Sequence, residues 1–376
     1  MKKPPVAVKR KGALASDLFS GIFNVARNPV TNRHGVGFTP GTGARQASRC
    51  GDKTVTSLSQ PPPISSHNIL WVARMALIEI NMHKSGLQGL PGADMLADGN
   101  GPVVIMTHGY TYEPGHRRHC PHRLILSATA GHDRKVISWP RHLGAEDDGM
   151  LALAYGWPAR GTIWRAWQQA ADAGAALARV ITTIRRAAPH RPVHAIAHSL
   201  GARVVLAAVP HLAAGALSRV IVLSGAEYAA NAAAALDSPA GRDMELINIT
   251  SRENDLFDFL FERLVAPPVP GDRVIGHGLP TRPNALSLQI DNPGTLAALT
   301  ACGFPIAAPR GRICHWSSYM RPGIFDLYRA LLTDPDALPI AQLRRRLPDT
   351  PQPRWSRLLD PPRVTLPLPF AWKPSS

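Results

Sequence analysis

A serine hydroxyl is a weak nucleophile at neutral pH and needs a histidine to take its proton and a third group to orient that histidine. The segment Ala197-His198-Ser199-Leu200-Gly201 is the place in this chain where such a serine is most sharply specified. The β-rich run Val193 to Ala197 leads into it, and Ala202, Val204, Val205, Leu206 and Ala207 continue from it in a helical pattern. Strand, sharp turn and helix lift a serine above a sheet, and small residues two places to either side let strand and helix pass closely. Ala197 stands where a glycine is more usual, which is tolerable because the position needs a small side chain.

On a parallel sheet with this kind of turn, the partners follow in the order serine, acid, histidine. After the strand-like run Leu246 to Ile249 comes Thr250-Ser251-Arg252-Glu253-Asn254-Asp255-Leu256-Phe257-Asp258. Asp255, just beyond a strand's carboxyl end, is the expected acid. Asp258, which reads as part of a helix from Leu256 to Leu264, is an alternative, as are Glu253 and Asp291. The expected base is His315, in Ile313-Cys314-His315-Trp316-Ser317-Ser318-Tyr319, with His277 in reserve. A tetrahedral oxyanion needs backbone donors where charge develops. The run Val103 to Met106 ends in Thr107-His108-Gly109-Tyr110, so the N–H groups of Tyr110 and Leu200 are the expected pair.

A competing constellation is His116, His119, Cys120 and His122, since imidazole and thiolate are good zinc ligands. Arg117, Arg118 and Arg123 crowd the same segment and oppose a cation. A basic loop over the site, suited to an anionic acyl or phosphate-bearing substrate, is the better reading.

These residues must be positioned by a sheet. Short β-rich runs alternate with helical patterns, the mark of a mainly parallel sheet covered on both faces. The strand candidates are part of Ile69 to Ile80, then Val103 to Met106, Val136 to Trp139, Val193 to Ala197, Val220 to Leu223 and Leu246 to Ile249, with Leu286 to Ile290 strand-like. Ile163, Trp167, Ala170, Gly174, Leu177, Ile181 and Ile184 recur at three- and four-residue steps, which predicts a long amphipathic helix. Small residues at 170 and 174 should let that helix lie close to the strands.

The chain has 376 residues, 45% of them hydrophobic and 18% charged, enough apolar material for a large core. Residues 1–65, rich in Gly, Ser, Thr, Pro and basic residues, read as a flexible basic arm. Residues 66–346 read as the body, and 347–376 as a Pro-rich tail that Trp355, Phe370 and Trp372 could tack onto it. The net charge of +16 would draw anionic ligands, but the basic residues are scattered, so no specific nucleic-acid site is expected. Four cysteines far apart fit reduced thiols. With neither a signal-peptide pattern nor a membrane-length apolar run, a cytoplasmic location is expected.

Together, His108-Gly109-Tyr110, Ala197 to Gly201, Ser251 to Asp255 and His315 to Tyr319 resemble the α/β-hydrolase superfamily, and look like a bacterial branch of its serine hydrolases. The resemblance covers about residues 68 to 335. It implies a mainly parallel sheet with flanking helices and an acyl-enzyme mechanism without metal or organic cofactor. A small-molecule carboxylic ester or thioester is the expected substrate class. An acyltransferase with the same three residues, and a binding protein that has kept the fold, are the other readings.

Overall fold

A computed structural model describes residues 77–129, 136–145, 149–336 and 338–359. The arm, Phe370, Trp372 and the first part of the Ile69 to Ile80 run lie outside the described residues. Among the described residues eight strands form one sheet: β1 (Leu77–His83), β2 (Gly86–Gln88), β3 (Val103–Thr107), β4 (Leu151–Gly156), β5 (Val193–His198), β6 (Arg219–Leu223), β7 (Glu245–Thr250) and β8 (Ala285–Gln289). Their order is β2-β1-β4-β3-β5-β6-β7-β8, with β1 and β2 antiparallel and every other pair parallel. From β3 the chain steps to β4 on one side and then returns to β5 on the other. The carboxyl ends of β3 and β5 therefore border a topological switch point, where open α/β sheets place their ligands.

Both faces of the sheet are covered, because alternate residues of each buried strand point to opposite sides. The main helices are α1 (Ile163–Ala187), α2 (Gly201–Ala208), α3 (Ala229–Asp237), α4 (Asp255–Leu264), α5 (Pro293–Ala301), α6 (Ile324–Thr333) and α7 (Ile340–Arg346). Val103 and Ile105 of β3 share a core with Leu177 and Ile181 of α1. Val104 and Met106 share the opposite one with Leu327 and Leu331 of α6.

The long helix starts where Thr162 caps the amide of Arg165, and ends in a basic turn, Arg185 and Arg186, that suits the helix dipole. Gly174 serves a different neighbour from the one its spacing suggests. A Cβ there would lie 2.6 Å from the carbonyl oxygen of Val204 and 2.7 Å from Ala207 Cβ, so its smallness admits α2 rather than a strand.

One strand expectation fails. Residues 136–138 are not in a strand, and Trp139–His142 is a short helical turn, because Ser138 caps the amide of Arg141 and Pro140 occupies the first turn. The strand in that part of the sheet is β4, Leu-Ala-Leu-Ala-Tyr-Gly. Its alanines give it weak β-propensity in isolation, and burial on both faces decides the outcome.

At the amino end of the sheet His194 is fully buried, with neither ring nitrogen hydrogen-bonded. Burial, and then the nearby Arg219, lower its pKa to about 4. The unfolded chain therefore takes up the proton first as pH falls. The stabilisation is complete above about pH 6.5 and is lost on the way down to about pH 4, worth about 3 kcal/mol for this residue. Burial pushes His108 and His122 the same way. Urea melts at pH 7.5 and pH 5 should show a smaller pH-dependent loss for His194→Leu than for the wild type. An equal loss in both would refute the assignment.

Candidate active site

Two loops meet at the switch point. After β5, Ser199 takes a left-handed backbone (φ 56°), and its N–H donates to the carbonyl of Leu223 at the end of β6 (3.0 Å). A non-glycine residue held at positive φ marks local strain that the surroundings enforce. The Ser199 carbonyl in turn accepts the amides of Ala202 and Ala226, each at 3.0 Å. The turn is thus pinned on both sides of the serine. Leu200 opens α2, where first-turn amides have no acceptor within the helix.

After β3, the His108-Gly109-Tyr110 loop packs directly on this turn. A Cβ on Gly109 would lie 2.5 Å from Ser199 Cβ and 2.8 Å from the His198 carbonyl oxygen, so only glycine fits. His108 holds the loop. Its Nε2 accepts the Trp157 amide (3.1 Å), its carbonyl accepts the Trp157 indole N–H (3.0 Å), and its Nδ1–H donates to the carbonyl of Gly109 (2.9 Å). The ring is neutral, since burial lowers its pKa to about 3. Tyr110 donates its hydroxyl to the carbonyl of Gly161 (2.5 Å), which ties the loop to the start of α1.

His315 and Ser199 line one small cavity at this point, and they are 2% and 3% exposed. His315 Nδ1 lies 2.6 Å from Asn254 Oδ1, while Asn254 Nδ2 donates to Asp258 Oδ1 (2.9 Å). The amide orientation that satisfies Asp258 leaves its oxygen for the imidazole, so His315 carries its proton on Nδ1 and not on Nε2. Burial, helped by His198, holds the His315 pKa well below its ordinary value, which keeps the ring uncharged at neutral pH. His198, the residue before the serine, donates Nε2–H to the His315 carbonyl (3.0 Å). Its ring centroid is 4.5 Å from that of His315.

Asp255 is not brought to His315. Its carboxylate pairs with Arg252 (3.2 Å) and accepts the Trp355 amide (2.6 Å). The reason is helical geometry. Asp255 begins α4, and one residue turns the side chain about 100° around the axis, whereas Asn254 and Asp258, four apart, share a face. Asp258 is fully buried, and burial together with Asp255 raises its carboxyl pKa to about 8. Glu253 forms a buried ion pair with Arg321, and its carbonyl accepts the Cys314 amide (2.9 Å), so the Asn254 and His315 loops are bonded to each other. Asp291 accepts the Arg252 amide (3.1 Å), and His277 faces Glu262 (3.3 Å).

Residues beyond 346 touch the same loops. Arg354 pairs with Glu262 (3.1 Å), Trp355 lies edge-on to Phe259, and Arg357 reaches the carbonyl of Gly311 (3.1 Å). The histidine-rich loop is held by local bonds: His116 Nδ1 accepts the amides of Arg118 and His119, and His122 Nε2 bonds Asn81 Oδ1 (2.7 Å). Among the described residues no group of three or more His, Cys, Asp or Glu side chains is placed to hold a metal. Among the same residues, no helix is long and apolar enough to cross a membrane.

A mainly parallel eight-stranded sheet, helices on both faces and a serine on a strained turn between β5 and α2 give the described residues an α/β-hydrolase-type fold. Residues 93–226 match the family described as "Alpha/beta hydrolase of unknown function (DUF900)", which takes in the β3 loop and the serine turn. Similar solved structures include a Trichoderma reesei cutinase in complex with a phosphonate inhibitor, at 15% identity. That match covers 36% of this chain and 64% of the cutinase chain, with a TM-score of 0.20. Another is apo prolyl oligopeptidase B from Galerina marginata, at 11% identity, covering 55% of this chain and 31% of that chain, with a TM-score of 0.28. The chain thus spans less than two thirds of the length of either. Among curated proteins there is no match.

Proposed function

We propose that the protein is a serine hydrolase that cleaves a carboxylic ester or thioester through an acyl-enzyme on Ser199. The observation that carries this reading is the shared cavity of a strained Ser199 and a buried, neutral His315 whose Nδ1–H is fixed by Asn254. His315 Nε2 takes the hydroxyl proton as Ser199 Oγ bonds to the substrate carbonyl carbon. The same proton then passes to the departing alkoxide or thiolate as the bond to the leaving group breaks. Water repeats the sequence on the acyl-enzyme and releases the acid.

Asn254 fills the third position that Asp255 was expected to fill. An amide oxygen accepts the Nδ1–H and fixes the tautomer without a charge of its own, as the asparagine of papain-like proteases does for a cysteine. Asp258 sets which end of the amide faces the ring. The amides of Tyr110 and Leu200 are the proposed oxyanion donors, aimed by the Gly109 loop and by the start of α2.

A reporter fluorophosphonate tests the nucleophile. Wild-type protein should be labelled and Ser199→Ala should not. Equal labelling of the two would place the reactive group elsewhere.

A further inference from the structure

The cavity shared by Ser199 and His315 measures about 10 Å³, about enough for one water. Its apolar wall is made by Ile163 at the start of α1, Ala226, and Phe257 and Phe261 on α4. Each of the three larger side chains is buried, and the two rings are backed by a second layer. The Phe261 ring lies edge-on to Trp167 (5.2 Å between centroids) and against Tyr228 (5.6 Å). Phe257 lies against His315 (4.8 Å) and Trp316 (6.1 Å).

The start of α1 is bolted to the end of α4, because Trp164 Nε1 donates to the carbonyl of Leu264 (2.5 Å). The Tyr110 hydroxyl bond to Gly161 fixes the segment just before α1. A longer acyl chain therefore meets a wall of packed and tethered side chains. It must displace packed aromatic rings or part α1 from α4, and overpacking a filled interior is unfavourable.

We propose that the acyl side of this site takes a group of about acetyl size, so that the substrates are short-chain acyl esters, with Phe261 setting the length limit. This rests on Ser199 being the nucleophile. A short acyl group attached to Ser199 Oγ occupies the small apolar space, while the alcohol or thiol portion leaves on the opposite side of the carbonyl.

The test uses two probes on the full chain: a methyl fluorophosphonate against an octyl one, and p-nitrophenyl acetate against p-nitrophenyl octanoate. The methyl probe should label Ser199 faster, and kcat/KM should fall at least about tenfold from acetate to octanoate, since single methylenes in a tight pocket already shift specificity by such factors. Phe261→Ala should narrow that ratio by accelerating octanoate. Labelling of Ser199 by both probes at equal rates, or equal kcat/KM for both esters, overturns the length limit and leaves the nucleophile in place. No labelling by either probe, with no ester turned over, overturns the nucleophile and the length limit together.

Discussion

Asn254→Ala is expected to lower kcat by up to about 10⁴-fold, and kcat/KM with it, the loss in kcat that follows when a catalytic histidine takes the wrong tautomer. The variant removes the acceptor 2.6 Å from His315 Nδ1, so the ring is free to carry its proton on Nε2 instead. Asn254→Asp keeps an acceptor and should retain far more activity. The new carboxyl would lie beside Asp258, and two such groups share a proton, so its activity should depend more steeply on pH than that of the wild type.

Asp255→Asn is the control. It breaks a buried ion pair with Arg252, which typically costs about 3 to 5 kcal/mol, but it leaves the contact to His315 intact. Its signature is a lowered melting temperature with kcat/KM much closer to wild type than that of Asn254→Ala. Steady-state kinetics and thermal melts of the three variants decide the matter. A larger kinetic loss in a folded Asp255→Asn than in Asn254→Ala would return the third position to the aspartate.

Gly109→Ala should be nearly as damaging by a different route. The added methyl would meet Ser199 Cβ at 2.5 Å and the His198 carbonyl at 2.8 Å, both parts of a turn held by backbone bonds on each side. The loop must retreat, and it takes the Tyr110 amide with it. Loss of one oxyanion donor costs about 10² to 10³ in kcat, so a fall of that size is expected with KM changed little. Far-ultraviolet circular dichroism should report a folded protein. Unaltered kcat in that folded variant would remove the β3 loop from the account.

Much of this site was legible because its signals are local. The elbow needs only a strand, a small residue, a serine and a helix in succession, and all lie within residues 193–208. Chain order and a place in a late loop point to His315, which lines one cavity with Ser199. Asn254, rather than the adjacent Asp255, lies against His315, because Asn254 and Asp258 carry the four-residue spacing of a shared helix face, and an amide is not among the acids that the order serine, acid, histidine points to. The part played by His198 has no sequence signal, since the middle residue of the pentapeptide is unrestricted. Its partner, the carbonyl of His315, lies 117 residues away. The same is true of Trp355 and Asp255, 100 residues apart. The strand β4 escaped notice because alanines pack well between two covered faces yet favour strands little on their own.

The central claim is that an acyl group passes through Ser199 Oγ, and trapping that intermediate tests it most directly. Protein mixed with excess p-nitrophenyl acetate and quenched in acid within the first turnovers should gain the mass of one acetyl group. Proteolysis and fragmentation should place that group on Ser199, and Ser199→Ala should show no gain under the same conditions. Acetyl groups found only on lysines or histidines, in equal yield with and without the serine, while ester turnover persists, would contradict the mechanism.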